Sequence, residues 1–581
     1  MRNLVVCLGA SIWLSALCAG QTDTSGPVIP KQEVRAVWIT TVLGLDWPKS
    51  QDPEEQQRSL RDMIVKLSAA RFNTIFFQVR GRADALYRSR YEPWSQLLTG
   101  TLGKDPGWDP LEFMIREAHA RGIEVHAWCN TFLAKSGRTL PPESTPRHVL
   151  LRHPEWLRLV EGEWWFDPGL PAVREYTCRV VMDIVRHYDV DGIHFDFMRY
   201  PGKQFPDDAT FKRYGGTGSR EDWRRENVNR FVRMFYDSAV ALKPMLKIGS
   251  APIGIYSDNG KVKGLRSYDD LFQDSRGWLR DGIQDYLCPQ VYWSMGDRAG
   301  NPDFAGLARE WCQHSFSRQM LLGVGAYKPD VSAQLPKYIE VSRSCRAGGN
   351  AFFRYGSVAD LPALPMLYRT LANIPPMKWK DSIPPNPPLN LSVASAGGAF
   401  RLRWDPPLPA RDGDGAKGYN IYRSVQRTVD INDAMELVSI STRDMLEYDD
   451  SIAAPSAGKY FYAVSALDKG NNESRPVFGS VVNPEILDLA LRFSHDFKLG
   501  QHYPDPPSSI VFIPYEIRET AAVQLKILNE GNAQVMSVVD VVQQPGRYVA
   551  AANVSRLKGG TYSYVLVAGT SSLKRTLRID N

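Results

Sequence analysis

In the stretch DVDGIHFDFMRYP, residues 189–201, Ile193 and Phe195 fall on one face, His194 and Asp196 fall on the other, and the apolar run stops at Asp196. Side chains that alternate in this way mark a β-strand, here one with a carboxylate at its C-terminal tip. In a barrel of parallel strands that tip belongs to the catalytic face. Asp196 is therefore the first candidate for chemistry, although an Asp at such a place also serves simply to cap the following turn. Asp189 and Asp191 open the stretch and read as structural.

The same reasoning collects polar and aromatic residues from the ends of other apolar runs. They are Trp38, then Gln78 and Arg80, then His126, Trp128 and Asn130, then His194 with Arg199 just beyond, and finally Gln290, Tyr292 and Trp293. One carboxylate, many hydrogen-bonding groups and rings able to stack on a pyranose suit a sugar. Cleaving a glycosidic bond takes two carboxyl groups, about 5–5.5 Å apart for retention or about 6.5–9.5 Å for inversion. Asp196 is expected to be the nucleophile or base. Its expected partner is Asp84, in the loop GRADALY that reads as mobile, followed by Glu124, deeper on the same side of its strand, and then by Asp46 and Asp297. Asp84 has an equally good structural role as the ion-pair partner of Arg80 or Arg82. His126, His194 and Asp196 have the chemistry of a Zn²⁺ site, but no H-x-H or H-E-x-x-H pair occurs, and neither a metal nor a cofactor is expected. A serine esterase is disfavoured by the lack of a G-x-S-x-G elbow.

Elements able to position these residues recur from residue 31 to 375. Eight short apolar runs read as strands: VRAVWITT, NTIFFQVRG, IEVHAWCN, GIHFDFM, LKIGSAPIG, YLCPQVYW, QMLLGVGAY and NAFFRYG. Amphipathic segments lie between most of them. Residues 109–122 carry an Asp N-cap, a first-turn Pro and a closing Gly. Eight βα units predict a (β/α)₈ TIM barrel, an α/β fold. No G-x-G-x-x-G follows the first strand to favour a nucleotide-binding open sheet. A proline-rich linker is expected over 376–390, one all-β sandwich over 391–484 and a second over 485–581.

A chain of 581 residues is too long for one core. Its net charge of +6 is spread without a Lys/Arg block, so no nucleic-acid partner is expected. Residues 1–20 read as a signal peptide: Arg2, an apolar run from Leu4 to Leu17 too short to span a bilayer, then small residues. Five cysteines follow it, Cys129, Cys178, Cys288, Cys312 and Cys345, with neither metal-ligand nor framework spacing, and one pair among them has the option of bridging.

Several of these motifs, taken in order, resemble one family. WITTVLGLDWP, FQVRGRADALYRSRYEPWSQLLTGTLGKDPGWDPL, EAHARGIEVHAWCNTF, DVDGIHFDFMRYP and PQVYW are similar to the glycosyl-hydrolase-like family ten barrels. The resemblance implies a secreted or envelope-associated bacterial glycosidase acting on a polysaccharide, with peptidoglycan glycan strands the substrate class of some members. DGIHFD is also similar to the strand-four segment of the α-amylase superfamily, which implies that Asp196 is the nucleophile, with His194 in the place of the neighbouring basic residue. The amylase acid after strand five has no counterpart in KIGSAPIGIY. Residues 391–484 resemble a fibronectin type III module, and the C-terminal ending resembles bacterial sorting or anchoring domains. The alternative function is a non-catalytic glycan-binding or adhesion protein built on the same barrel. If the leader is cleaved as expected, mass spectrometry of exported protein will find Gln21 as the first residue, whereas a retained leader would show Met1.

Overall fold

The computed structural model describes residues 29–581 other than 258–261, 297–301, 397–398, 427, 443, 452–459, 482–496, 504, 506, 508–509, 570 and 580–581. The expected leader, Asp297 and the boundary at residue 484 lie outside the described residues.

The expected barrel is present. Its strands are β1 (Val34–Ile39), β2 (Thr74–Arg80), β3 (Glu124–Asn130), β7 (Gly192–Asp196), β8 (Lys247–Ser250), the paired short pieces β9 (Tyr286–Leu287) and β10 (Gln290–Val291), β11 (Gln319–Val324) and β12 (Gly349–Phe352). Every neighbour is parallel, and β12 pairs with β1 to close the ring. The sixth stave is broken in two at Cys288–Pro289, where proline has no N–H to give the ladder. The helices begin as their sequences require. Asp52 and Asp109 each accept two backbone N–H groups ahead of a first-turn proline.

Between β3 and the helix Pro171–His187 the chain makes an excursion outside the eight expected strands: β4 (Leu133–Ser136), β5 (Leu157–Val160) and β6 (Glu163–Phe166), an antiparallel sheet in the order β4-β6-β5. Glu161 and Gly162 join β5 to β6 with φ of 49° and 84°. Two positive φ values in a two-residue loop match the twist of the strands it connects.

Outward-facing barrel residues such as Ile75, Phe77, Val125, Ile193 and Phe195 form one core with the helices. Inward-facing residues stack in levels set by the register. Glu124 and Lys247 lie at the floor, and Phe76, His126, His194 and Tyr286 lie above them. Gly192 stands beside His126, and a Cβ there would lie 2.6 Å from the imidazole Nδ1, so only glycine fits at this point of DGIHFD. A buried polar chain runs along the axis. Trp38 Nε1 donates to His194 Nε2 (3.0 Å), His194 Nδ1 and His126 Nδ1 both meet the Tyr286 hydroxyl (3.0 and 2.8 Å), and His126 Nε2 lies 3.6 Å from Glu124.

After the barrel come two double-layered β units. In the first, sheets of three and four strands share a core of Leu402, Trp404, Tyr419, Ile421, Tyr462 and Val464. In the second, Val511, Ile513 and Tyr515 face Val523, Leu525, Tyr564 and Leu566. The segment expected to be an extended spacer begins instead as part of the barrel floor. Met377 is buried in the inner cluster, and Trp379 Nε1 donates to Asp285 (2.9 Å), because these apolar surfaces cover the open bottom of the barrel. The first β unit docks there as well. Lys417 and Asn471 reach Glu124 at 3.4 and 3.3 Å, and Lys31 pairs with Glu473.

Glu124 accepts from Lys247 Nζ at 2.5 and 2.7 Å in a buried site. Burial opposes the Glu124 charge, but Lys247 and then Lys417 outweigh it and hold the carboxyl well below its usual range. Removing one partner of a buried pair strands the other charge, at about 3–5 kcal/mol. Lys247→Met is therefore expected to lose stability of that order in urea titration, and the double variant Glu124→Met/Lys247→Met to regain most of it. Equal losses in the single and double variants would show that the pair does not act as a unit.

Candidate active site

Asp196 ends β7 at the C-terminal mouth of the barrel. The next residue, Phe197, has φ of 49°, a left-handed conformation that costs a β-carbon residue roughly 1–3 kcal/mol. That turn brings the Phe197 N–H onto Asp196 Oδ1 (2.7 Å), and Gln290 Nε2 donates to the same oxygen (3.3 Å). Oδ2 has no hydrogen-bond partner among the described residues. Burial pushes the Asp196 carboxyl up to about 6, against the lowering effects of Phe197 N–H, Arg199, Arg82 and Gln290. Ionising it at the mouth thus costs on the order of 3 kcal/mol more than in water.

Two arginines flank this carboxylate. Arg199 lies over the rings of Trp165 (5.3 Å) and Phe197 (5.1 Å), and burial lowers its pKa while Asp196 and Glu163 oppose the shift. Arg82 is also lowered by burial, opposed by Glu163, Asp84 and Asp196 in that order. Its Nε donates to Ser136 Oγ (2.9 Å), whose hydroxyl donates to Glu163 Oε1 (3.1 Å), and the Arg82–Glu163 ion pair spans 4.0 Å. The excursion sheet therefore delivers Glu163, Trp165 and Ser136 to the mouth. None of the three was among the residues singled out from the sequence. The signal was present in LRLVEGEWWF, two alternating runs about a Glu–Gly turn.

The structure brings together Asp196, Arg199, Gln290 and Tyr292 from the expected set. Tyr292 stacks on Phe353 (5.4 Å) and meets Tyr327 edge-on (6.0 Å), and the Tyr327 ring is 50% exposed at the rim. Trp293, half-buried, leans over the loop after β8. Asp84 is close to the same charges, but its loop is packed. Ala83, Ala85, Leu86 and Tyr87 are buried, and Asp84 Oδ1 closes a turn on the Arg82 N–H (3.0 Å), so the mobility expected of GRADALY gives way to apolar anchoring. Arg80 does not pair with Asp84. It forms a bidentate ion pair with Glu92 (2.8 and 2.6 Å) in a fully buried site.

Other expected contacts belong to the barrel wall. Glu124 is at the opposite end from Asp196, because it begins β3 whereas Asp196 ends β7, and it is committed to Lys247. Trp38, Trp128, His126 and His194 fill the interior below the mouth at 0–3% exposure. His194 stacks on Phe76 at 4.0 Å, and burial drives its pKa well down, so it is a neutral ring accepting from Trp38. His126 and His194 turn toward the Tyr286 hydroxyl. Gln78 Oε1 accepts the N–H groups of Thr41 and Val42 (3.0 and 2.9 Å) and fixes the rim loop after β1. Asn130 Nδ2 donates to Gly81 O (2.8 Å) and fixes the loop after β2. Asp46 holds Thr40 N–H and Arg354. The long polar side chains that sequence reading assigned to a sugar thus serve largely to hold the rim loops in place.

No helix among the described residues is long and apolar enough to cross a membrane. The chain is 33% identical over 484 residues to the glycosyl hydrolase YngK of Bacillus subtilis, covering 76% of this chain and 92% of that protein. It is 33% identical over 326 residues to the glycosyl hydrolase DigH of Escherichia coli K12, covering 51% of this chain and 74% of that protein. Among solved structures, the glycoside hydrolase domain of PgaB from Bordetella bronchiseptica is 14% identical with a TM-score of 0.41, over 58% of this chain and all but 2% of that domain, whose coverage is 98%. Residues 33–339, which span the barrel from β1 through β11, match the family model described as Glycosyl hydrolase-like 10, and the chain belongs to that family.

Proposed function

We propose that the chain is a secreted glycoside hydrolase that cleaves a polysaccharide, with peptidoglycan glycan strands as the substrate class, and that Asp196 is its nucleophile or water-activating base. The observation that carries this reading is the Asp196 carboxylate itself: at the barrel mouth, with one oxygen fixed by Phe197 N–H and Gln290 and the other unpartnered among the described residues. Arg82 and Arg199 favour its ionised form at neutral pH, and the aromatic group of Tyr292, Tyr327 and Phe353 offers rings for a glycan to lie on.

Glu163 is the better placed proton donor. Its side chain is 37% exposed on the excursion hairpin, facing the same two arginines as Asp196. Asp84 is occupied in closing its turn on Arg82. Glu163→Gln should therefore slow a natural glycan far more than an aryl glycoside whose leaving group needs little protonation. Asp84→Asn should depress both substrates alike. The reverse pattern would transfer the acid's role to Asp84.

Release of reducing ends from purified peptidoglycan by the wild type, lost by at least about a hundredfold in Asp196→Asn, tests the proposal. Glycan binding that survives Asp196→Asn, with no product from any polysaccharide, would instead establish a binding protein.

The pH dependence follows from the raised Asp196 carboxyl. A base or nucleophile must be ionised, so kcat/KM should rise with pH through about 6. Stability runs the other way. A carboxyl whose folded value of about 6 lies above its ordinary 3.8 favours folding fully below 3.8, and that contribution is lost as pH rises through about 6. Asp196→Asn should then melt higher than wild type above pH 6. An unchanged or lower Tm at pH 7.5 would contradict the desolvated carboxylate.

A further inference from the structure

We propose that Cys312 and Cys345 are a disulfide-forming pair that staples helix Phe304–Gln313 to helix Leu335–Ser344 on the outside of the barrel. Their sulfurs lie 2.9 Å apart, part-buried, on chain positions 33 residues apart. Cys312 is in the last turn of the first helix, and Cys345 immediately follows the second. The two helices also meet near their starts, where Phe304 packs edge-on to Tyr338 at 4.6 Å. There they hold the strand end that carries Tyr292 and Trp293: Phe304 N–H donates to Ser294 O (3.2 Å), and the Tyr338 hydroxyl donates to Trp293 O (3.4 Å). A covalent link at the far ends would fix this helix pair as one support for that part of the rim. The inference is independent of the glycosidase reading.

The oxidant is a disulfide donor of the glutathione class. The Cys345 thiolate attacks one sulfur of the donor, forming a mixed disulfide and releasing one donor thiolate. The Cys312 thiolate then attacks the Cys345 sulfur and releases the second. The two protein thiols lose two protons and two electrons, and the donor is recovered as two thiols. The order of attack is interchangeable, since either sulfur can be the donor in their contact, and the product is the same. The other described cysteines do not compete. Cys129, Cys178 and Cys288 are buried, and burial pushes the first two up to about 12 and about 11.

The test equilibrates the folded full chain with oxidised glutathione, alkylates it, and maps tryptic peptides without reductant. The expected product is Glu310–Arg318 linked to Ser344–Arg346, disappearing on reduction. Oxidised wild type should melt roughly 5 °C above Cys345→Ser, and the two should coincide under reductant. Alkylation of both cysteines, retained glutathione on either, or a link from either to another cysteine would overturn the proposal. So would a linked protein whose melting point does not fall on reduction.

Discussion

A carboxylate held away from water at a strand tip sets the requirements for the rest of the mouth. Asp196 gains its raised pKa from burial, and the left-handed turn at Phe197, the Gln290 amide and the two arginines limit how far burial can go. These partners come from three separate parts of the barrel: Phe197 and Arg199 from the loop after β7, Gln290 from the broken sixth stave, and Arg82 from the loop after β2. The site exists only when the ring is closed, because no two consecutive elements supply it. Its strain and desolvation make it less stable than the same backbone with a neutral residue would be, as expected of a reactive group held ready.

What allows that group to be held is a rigid wall beneath it. The polar chain from Trp38 through His194 and Tyr286 to His126 fills the barrel axis with hydrogen-bonded groups, and His126 Nε2 faces the Glu124 carboxylate at 3.6 Å, beyond hydrogen-bonding distance. Buried polar groups are costly when unpaired and specifying when paired. With His194 neutral, its ring takes one hydrogen bond at each nitrogen and can stack flat on Phe76. The floor extends the same logic beyond the barrel. Glu124 draws in Lys247 from the barrel and Lys417 and Asn471 from the first β unit, so the barrel and its appended unit meet at this charge as well as at the Lys31–Glu473 pair.

The rim depends on a second class of residues. Gln78, Asn130 and Asp46 look like substrate groups by position, yet Gln78 Oε1, Asn130 Nδ2 and Asp46 Oδ2 each bond a backbone N–H or C=O group of a loop. Loops at the catalytic face carry main-chain groups that no strand or helix pairs. Side chains at strand ends are the nearest donors and acceptors, so they are used first for that purpose. The excursion sheet, by contrast, pairs its own backbone within the hairpin, and its side chains Glu163 and Trp165 remain to face Arg82 and Arg199.

The sequence by itself determined the eight strands, their order, the Asp and Pro helix starts and the placing of Asp196 at a strand tip. Period-two alternation and capping residues are local signals, and a closed parallel ring is the economical way to bury so many short apolar strands. It also carried the β character of the last two hundred residues. Only the tertiary structure decided the level of each inward residue. Position along each strand already puts Glu124 deeper than Asp196 but does not show that Glu124 lies at the floor, committed to Lys247 and out of reach of the mouth, because that depends on the register between neighbouring strands and on what packs beneath them. Only the folded chain could assign Arg80 to Glu92 and leave Arg82 for the site, since a pair of charges is chosen by distance in space and by desolvation. The link between Glu163 and Asp196 was hidden for the same reason: Glu163 is 33 residues before Asp196 in the chain, and the two act on a common partner, Arg199, only in the folded protein.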